Sequence, residues 1–119
     1  MPTRRRLPDT RKAITHTFYV DGTKGYIRVG LFADGSPGEV FLHIEKEGST
    51  IAGMARCFAL LLSLALQHDI PFVELAAKFR HQRFEPSGLT RNKDIPMASS
   101  IIDYIFAWMQ KEFYPSEKA

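Results

Sequence analysis

The side chains best suited to catalysis or metal binding are four histidines and a single cysteine. The histidines, His16, His43, His68 and His81, are too widely spaced to form a local ligand motif. Cys57 alone excludes an internal disulfide and a multi-cysteine zinc site, and its apolar neighbours predict a small buried hydrophobe rather than a nucleophile. The sequence also lacks glycine-rich phosphate loops and the short motifs of zinc and serine hydrolases. We therefore predict no catalytic residue and no metal ligand, with a site assembled across a dimer from His16, His43 or His81 as a weaker alternative.

A candidate anion site lies at Ser49 and Thr50, directly before a long apolar run. At the N-terminus of a helix, free backbone N–H groups attract negative charge, and Gly48 would permit close approach. Ser49 or Thr50 would equally serve as the N-cap and satisfy the same N–H groups with its own hydroxyl. The sequence favours capping and leaves anion binding as the alternative.

A second candidate is the basic and aromatic segment 78–86, in which the candidate nucleotide ligands are Arg80, His81 and Arg83. Cations interleaved with aromatic rings can hold a nucleotide by charge and by stacking. The favoured alternative places Phe79 and Phe84 in the core. It also leaves Arg80 in solvent and pairs Arg83 with a carboxylate.

The net charge of +3 comes from the N-terminus. Five of the 16 Lys and Arg residues, but one of the 13 acids, lie within residues 1–12, so the remainder is close to neutral. Arg4, Arg5 and Arg6 form a candidate phosphate-binding arm. A flexible, solvated terminus accounts for the same composition and is the favoured interpretation.

Three runs of alternating apolar residues, separated by glycine-rich turns, predict an antiparallel meander. The predicted strands are residues 15–20, 26–32 and 40–44. On the third strand Val40, Leu42 and Ile44 share one face, because successive side chains point to opposite sides of a sheet.

The sequence then changes to a helical pattern. Residues 51–66 are apolar except for Arg56 and Ser63, which predicts a helix buried on most of its circumference. Its expected apolar face contains Ile51, Met54, Phe58, Leu61, Leu62 and Leu66. A shorter helix is predicted after Pro71, a loop over 81–96, and a third helix over 97–113.

Three strands followed by three helices predict an α+β fold, with the helices packed on one face of the sheet. We expect a single domain over 13–114, flanked by the basic flexible arm 1–12 and a tail at 115–119. Tyr26, Phe41 and His43 would lie on the second face of the sheet. If that face is uncovered, it would form a homodimer or partner interface. The loop 81–96 would otherwise cover it, and both alternatives stay open.

Four stretches of the sequence resemble a known family in their order and spacing. They are Leu7-Pro8-Asp9-Thr10-Arg11, GYIRVGLFADGSPGEVFLHIEKEGSTIAG, SLALQHDIPFVELAAKFRHQRFEPSG and IPMASSIIDYIFAWM. Together they resemble the segment that follows the catalytic barrel in adenosylcobalamin-dependent, class II ribonucleotide reductases. That segment is known as the TSCPD domain, after a pentapeptide that this sequence lacks.

The resemblance implies a link to deoxyribonucleotide synthesis but carries over no catalytic residue. In that family a radical cysteine and its redox pair lie in the barrel, and a cysteine-rich tail delivers electrons. Those steps need at least three thiols, whereas this sequence contains Cys57 alone. The resemblance therefore implies a non-catalytic accessory or regulatory domain that associates with a reductase catalytic subunit, to which adenosylcobalamin would belong.

The alternative function is a nucleotide or nucleic-acid binding module that uses the basic arm and the helix N-terminus. Binding of phosphates would then depend strongly on salt.

We expect no bound cofactor and no activity from this chain alone, although it would be a component of a ribonucleoside-diphosphate reductase. Because no apolar segment typical of a signal peptide follows Met1, we also expect a cytoplasmic protein without a membrane span.

Overall fold

A computed structural model describes residues 3–115. Its three long strands and three helices follow the predicted order, and two unpredicted strands of two residues each lie between the second and third helices. Residues 1, 2 and 116–119 lie outside the described residues, and with them the start of the predicted arm and most of the predicted tail. The elements are β1 (Ala13–Val20), β2 (Thr23–Leu31), β3 (Pro37–Ile44), α1 (Ser49–Gln67), α2 (Phe72–Phe79), β4 (Gly88–Leu89), β5 (Met97–Ala98) and α3 (Ile101–Phe113). The α+β fold class is confirmed.

The first three strands form one sheet in the order β1–β2–β3. Strands β2 and β3 are antiparallel, with Tyr26 opposite His43 and Arg28 opposite Phe41. Between β1 and β2 the chain turns through Asp21 (φ 49°) and Gly22 (φ 82°), and a two-residue turn of this kind requires positive φ. Alternation along β2 and β3 buries one face, which comprises Ile27, Val29, Val40, Leu42 and Ile44.

The contacts of the chain divide it into two compact units. Among the described residues, the N-terminal unit contains 3–17 together with 25–70, and the C-terminal unit contains 18–24 together with 71–115. The tip of the β1–β2 hairpin thus groups with the C-terminal unit. The expectation of a single domain over 13–114 stays a prediction.

In the N-terminal unit, α1 packs along β3 and covers its free edge. The backbone N–H of Val40 donates to Ser63 Oγ at 2.8 Å, and Ser63 Oγ in turn lies 2.8 Å from the carbonyl oxygen of Ala59. Gln67 Nε2 donates to the carbonyl oxygen of Gly38 at 2.8 Å. Two polar side chains of the helix therefore satisfy backbone groups that an edge strand would otherwise leave unpaired.

This arrangement corrects the predicted burial of α1. The buried residues are Ala55, Ala59, Leu62, Ser63, Leu66 and Gln67. Of the expected apolar face, Leu62 and Leu66 are buried, but Ile51, Met54 and Leu61 are exposed. Because Ser63 and Gln67 bond the edge of β3, the helix turns these polar residues inward and leaves apolar ones in solvent. Cys57, predicted to be buried, is exposed for the same reason.

In the C-terminal unit, α2 begins after Pro71 as predicted, but α3 begins at Ile101 rather than at Met97. Ser100 is its N-cap, with Oγ accepting from the backbone N–H of Asp103 at 3.0 Å. Met97 and Ala98 instead pair with the short strand β4. The phenyl rings of Phe72 and Phe79 pack on Phe106, with ring centroids 5.6 and 5.4 Å away.

Candidate binding surfaces

Two of the three arginines in the predicted phosphate-binding arm contact the N-terminal unit. Arg4 Nε donates to Gln67 Oε1 at 2.6 Å, and Arg5 Nε lies 3.1 Å from Asp69 Oδ1. The guanidinium of Arg5 also lies 3.9 Å from the ring centroid of Phe32. Arg4, Arg5 and Arg6 are all exposed to solvent. A phosphate would compete with these contacts, so phosphate binding by Arg4, Arg5 and Arg6 stays a prediction.

The N-terminus of α1 differs from its predicted capping. The N-cap residue is Gly48, and no side chain caps this end of the helix. The helix begins earlier than expected, so Ser49 and Thr50 occupy its first two helical positions, and both are exposed. The prediction that one of them is the N-cap is therefore wrong. Anion binding at Ser49 and Thr50 stays a prediction.

The basic segment in the C-terminal unit is organised by a residue that the sequence analysis missed, Asp103. Its Oδ1 accepts from Arg80 Nε at 2.9 Å and from the backbone N–H of His81 at 2.8 Å. Its Oδ2 accepts from the backbone N–H of Ser99 at 2.9 Å. Arg80 is thus paired and partly buried, which corrects the expectation that it lies in solvent.

Burial of the Asp103 carboxyl opposes its ionisation, but its donors outweigh that effect. The backbone N–H groups of Ser99 and His81, together with the guanidinium of Arg80, hold the pKa of Asp103 below its ordinary value. The carboxylate is therefore a charged structural link between the end of α2 and the start of α3. The pattern Ser-x-x-Asp before an apolar run, here Ser100 to Asp103, is a helix-start signature that would have revealed it.

The rest of the segment 78–86 is open to solvent. The side chains of His81 and Arg83 are exposed, and His81 has a positive φ of 69°. Phe84 is also exposed, so only Phe79 of the two phenylalanines packs as the favoured alternative expected. Because Arg80 is held by Asp103, the three candidate ligands do not present three free cations.

The exposed face of the sheet in the N-terminal unit combines aromatic rings with a cation. The rings of Tyr26 and His43 lie 5.1 Å apart, and the guanidinium of Arg28 lies 4.8 Å from the ring centroid of Phe41. Tyr26 is 40% exposed and Phe41 is 44% exposed. A shallow groove of about 210 Å³ adjoins these residues and is also lined by Arg56 of α1. We call Tyr26, Arg28, Phe41 and His43 the aromatic sheet face.

The sequence had placed three of these four residues on the second face of the sheet and had missed Arg28. Its position two residues after Tyr26 on β2 is the signal that would have included it.

In the C-terminal unit, Arg91 of the segment 81–96 lies 3.7 Å from the ring centroid of Tyr19. That segment therefore covers Tyr19 at the hairpin tip, whereas Tyr26 and Phe41 remain exposed.

Within residues 3–115, no group of three or more His, Cys, Asp or Glu side chains is placed to hold a metal ion. A groove of about 770 Å³ in the C-terminal unit is lined by charges of both signs, among them Arg80, Asp94, Lys111 and Glu112.

Helix α1 has a property that bears on membranes. Its 19 residues are long and apolar enough to cross a bilayer by length and composition alone. Apolar core helices pass the same test, so it is weak evidence for a membrane span. The expectation of no membrane association stays a prediction.

Comparison with known proteins places nearly the whole chain in one family. The family model described as the TSCPD domain matches residues 2–113. A vitamin B12-dependent ribonucleotide reductase of Rhodopirellula baltica is 51% identical over 108 residues, which is 91% of this chain and 10% of that protein. The proteins of the same name from Streptantibioticus cattleyicolor and Agrobacterium fabrum are 45% and 40% identical, over 98% and 87% of this chain. The chain spans 19% and 8% of those two relatives. No solved structure matches.

Proposed function

Because the chain belongs to the TSCPD domain family, we propose that it serves vitamin B12-dependent ribonucleotide reduction as a non-catalytic accessory domain. It acts by associating with the catalytic part of such a reductase. The observation that carries the proposal is the asymmetry of the match. Almost all of this chain is similar to the relatives, while it corresponds to a tenth or a fifth of their length.

The thiol content of the chain supports a non-catalytic role. A thiyl radical and a reducing thiol pair together require three cysteines, and these 119 residues contain one. That cysteine, Cys57, lies exposed on α1. The reduction itself would therefore depend on residues outside this segment.

The test uses the Rhodopirellula baltica relative in two forms, intact and with its matching 108 residues deleted. We expect this chain to bind the deleted form, because 51% identity preserves much of the docking surface. We expect no binding to the intact form, whose own segment already occupies the site. Sedimentation of labelled chain with each form measures both.

A chimera keeps this test decisive if the deleted form does not fold. In the chimera, the present chain replaces the 108 matching residues, and we expect reductase activity to be retained. Absence of binding to a folded deleted form, or an inactive chimera that is nevertheless folded, would contradict the proposal.

A second candidate function is nucleotide binding, and the aromatic sheet face favours it. Exposed rings on a sheet can stack on bases, and an arginine beside them can contact a phosphate. Arg28 and Arg56 both adjoin the groove next to this face. This face is more specific support for the nucleotide alternative than the arm or the segment 78–86, because Arg4, Arg5 and Arg80 contact other protein groups.

If this second function is correct, the variant Arg28→Ala should weaken the binding of ATP or single-stranded DNA at least tenfold at low salt. Lys93→Ala removes another exposed cation, in the C-terminal unit, and is the matched control, for which we expect no change. Titration followed by calorimetry measures both variants. No detectable binding by the unmodified chain at low salt would eliminate this function.

A further inference from the structure

Helix α1 presents a continuous apolar stripe to solvent. Five large side chains on it each expose between 43 and 69% of their surface, namely Ile51, Met54, Leu60, Leu61 and Leu64. Three of them, Met54, Leu61 and Leu64, form a series with the exposed Cys57, in which the residues follow one another at intervals of three, four and three. That spacing places them on one side of a helix and is the spacing of a coiled-coil seam. We call these four residues the α1 seam.

The amino-acid composition of α1 makes it unusual for the seam to be exposed to water. The helix contains a single charged residue, Arg56, and its opposite side is buried against β3. A surface helix normally turns a polar side to water, and a helix that is apolar all round is normally buried all round. The α1 seam therefore has the composition of an interface between helices.

We infer that the α1 seam is a dimer interface that binds the same seam of a second copy of this chain, with the two helices antiparallel. A two-fold axis at the middle of the seam places Met54 opposite Leu64 and Cys57 opposite Leu61. Each small or flexible side chain then meets a leucine, which lets the two surfaces interdigitate. Parallel pairing would instead set Leu61 against Leu61 and Cys57 against Cys57. The antiparallel arrangement also opposes the two helix dipoles.

The exposed area fits a dimer of modest affinity. Ile51 and Leu60 flank the seam on either side of the helix. With these two, the five large side chains expose about as much surface as three whole ones, so each copy offers at most roughly 500 Å² if a large side chain contributes roughly 150–200 Å². A pair would bury at most roughly 1,000 Å², which is the lower limit for a specific interface. Gly53 on the flank of the seam has no atom closer than 3.9 Å to the position of an added Cβ, so the second helix can approach closely there.

The first test is the solution mass of the whole chain over a dilution series, measured by sedimentation equilibrium. We expect a particle of twice the 13.5 kDa chain mass that dissociates on dilution. Leu61→Lys places a charge in the seam and should leave a folded monomer. Leu89→Lys is the matched control, since Leu89 is 69% exposed and Leu61 is 66% exposed, and it should remain dimeric.

The second test locates the interface. Because Cys57 is opposite Leu61 in the antiparallel pair, the variant Leu61→Cys should form an intermolecular disulfide under mild oxidation, and the unmodified chain should not. Cross-linking of the unmodified chain through Cys57 would show parallel pairing and overturn the arrangement. A monomer at all concentrations, or a monomer that partitions into phosphatidylcholine vesicles, would overturn the dimer itself. Either result would leave the proposed association with a reductase untouched, because that proposal does not use the α1 seam.

Discussion

At the scale of single residues, the main structural link in the C-terminal unit is a carboxylate. Asp103 accepts from Arg80, His81 and Ser99 and so connects the end of α2 to the start of α3. The sequence identified the basic residues but not their partner, because an acid and a base 23 positions apart give no local signal. The Ser-x-x-Asp pattern was the signal that could have located the start of α3.

Replacing this carboxylate should cost stability. We expect Asp103→Asn to lower the free energy of unfolding at pH 7 by about 2–3 kcal/mol, because the charge-assisted bonds to Arg80 and to two backbone N–H groups weaken. Urea denaturation measures the difference. Asp94→Asn, at an exposed acid in the same unit, is the control and should change stability by less than about 0.5 kcal/mol.

The same residue predicts a pH dependence. The folded pKa of Asp103 is lowered from its ordinary value of 3.8, so its contribution is complete above that value and is lost as the pH falls through the lower, folded pKa. The stability gap between the unmodified chain and Asp103→Asn should therefore narrow as the pH falls below about 4. A gap that stays constant down to pH 2 would show that folding does not lower the pKa of this carboxyl.

At the scale of elements, alternation predicted the sheet well and periodicity predicted α1 poorly. Strand β3 was expected to bury Val40, Leu42 and Ile44, and it does. For α1, an almost uniformly apolar sequence has no strong preference for one face. The choice is made instead by two hydrogen-bonding side chains, Ser63 and Gln67, whose partners on β3 lie more than 20 positions away.

That account of α1 predicts that Ser63→Ala lowers the free energy of unfolding. The backbone N–H of Val40 would lose its acceptor in a buried position, which should cost about 1–3 kcal/mol. Ser49→Ala is the matched control, because Ser49 is exposed on the same helix and caps nothing, and its effect should be within about 0.5 kcal/mol. Thermal and urea unfolding measure the stability of each variant relative to the unmodified chain. Equal effects would mean that the edge bonds do not position α1.

At the scale of the whole molecule, the sequence revealed the family more readily than the binding surfaces. The order and spacing of four stretches over most of the chain sufficed for the resemblance, and the match over residues 2–113 confirms it. The aromatic sheet face and the α1 seam could not be predicted as surfaces. Their exposure depends on which side of each element packs inward, and that is decided by contacts between distant segments.

The central claim is that this chain serves a reductase by association and performs no reduction itself. The most direct measurement is the rate of deoxyribonucleotide formation by the Rhodopirellula baltica enzyme lacking its matching 108 residues, titrated with this chain in the presence of adenosylcobalamin and a dithiol. We predict that the rate rises with added chain to a plateau, and that the chain alone forms no product. Product formed by the chain alone, or a rate that no amount of chain alters, would contradict the claim.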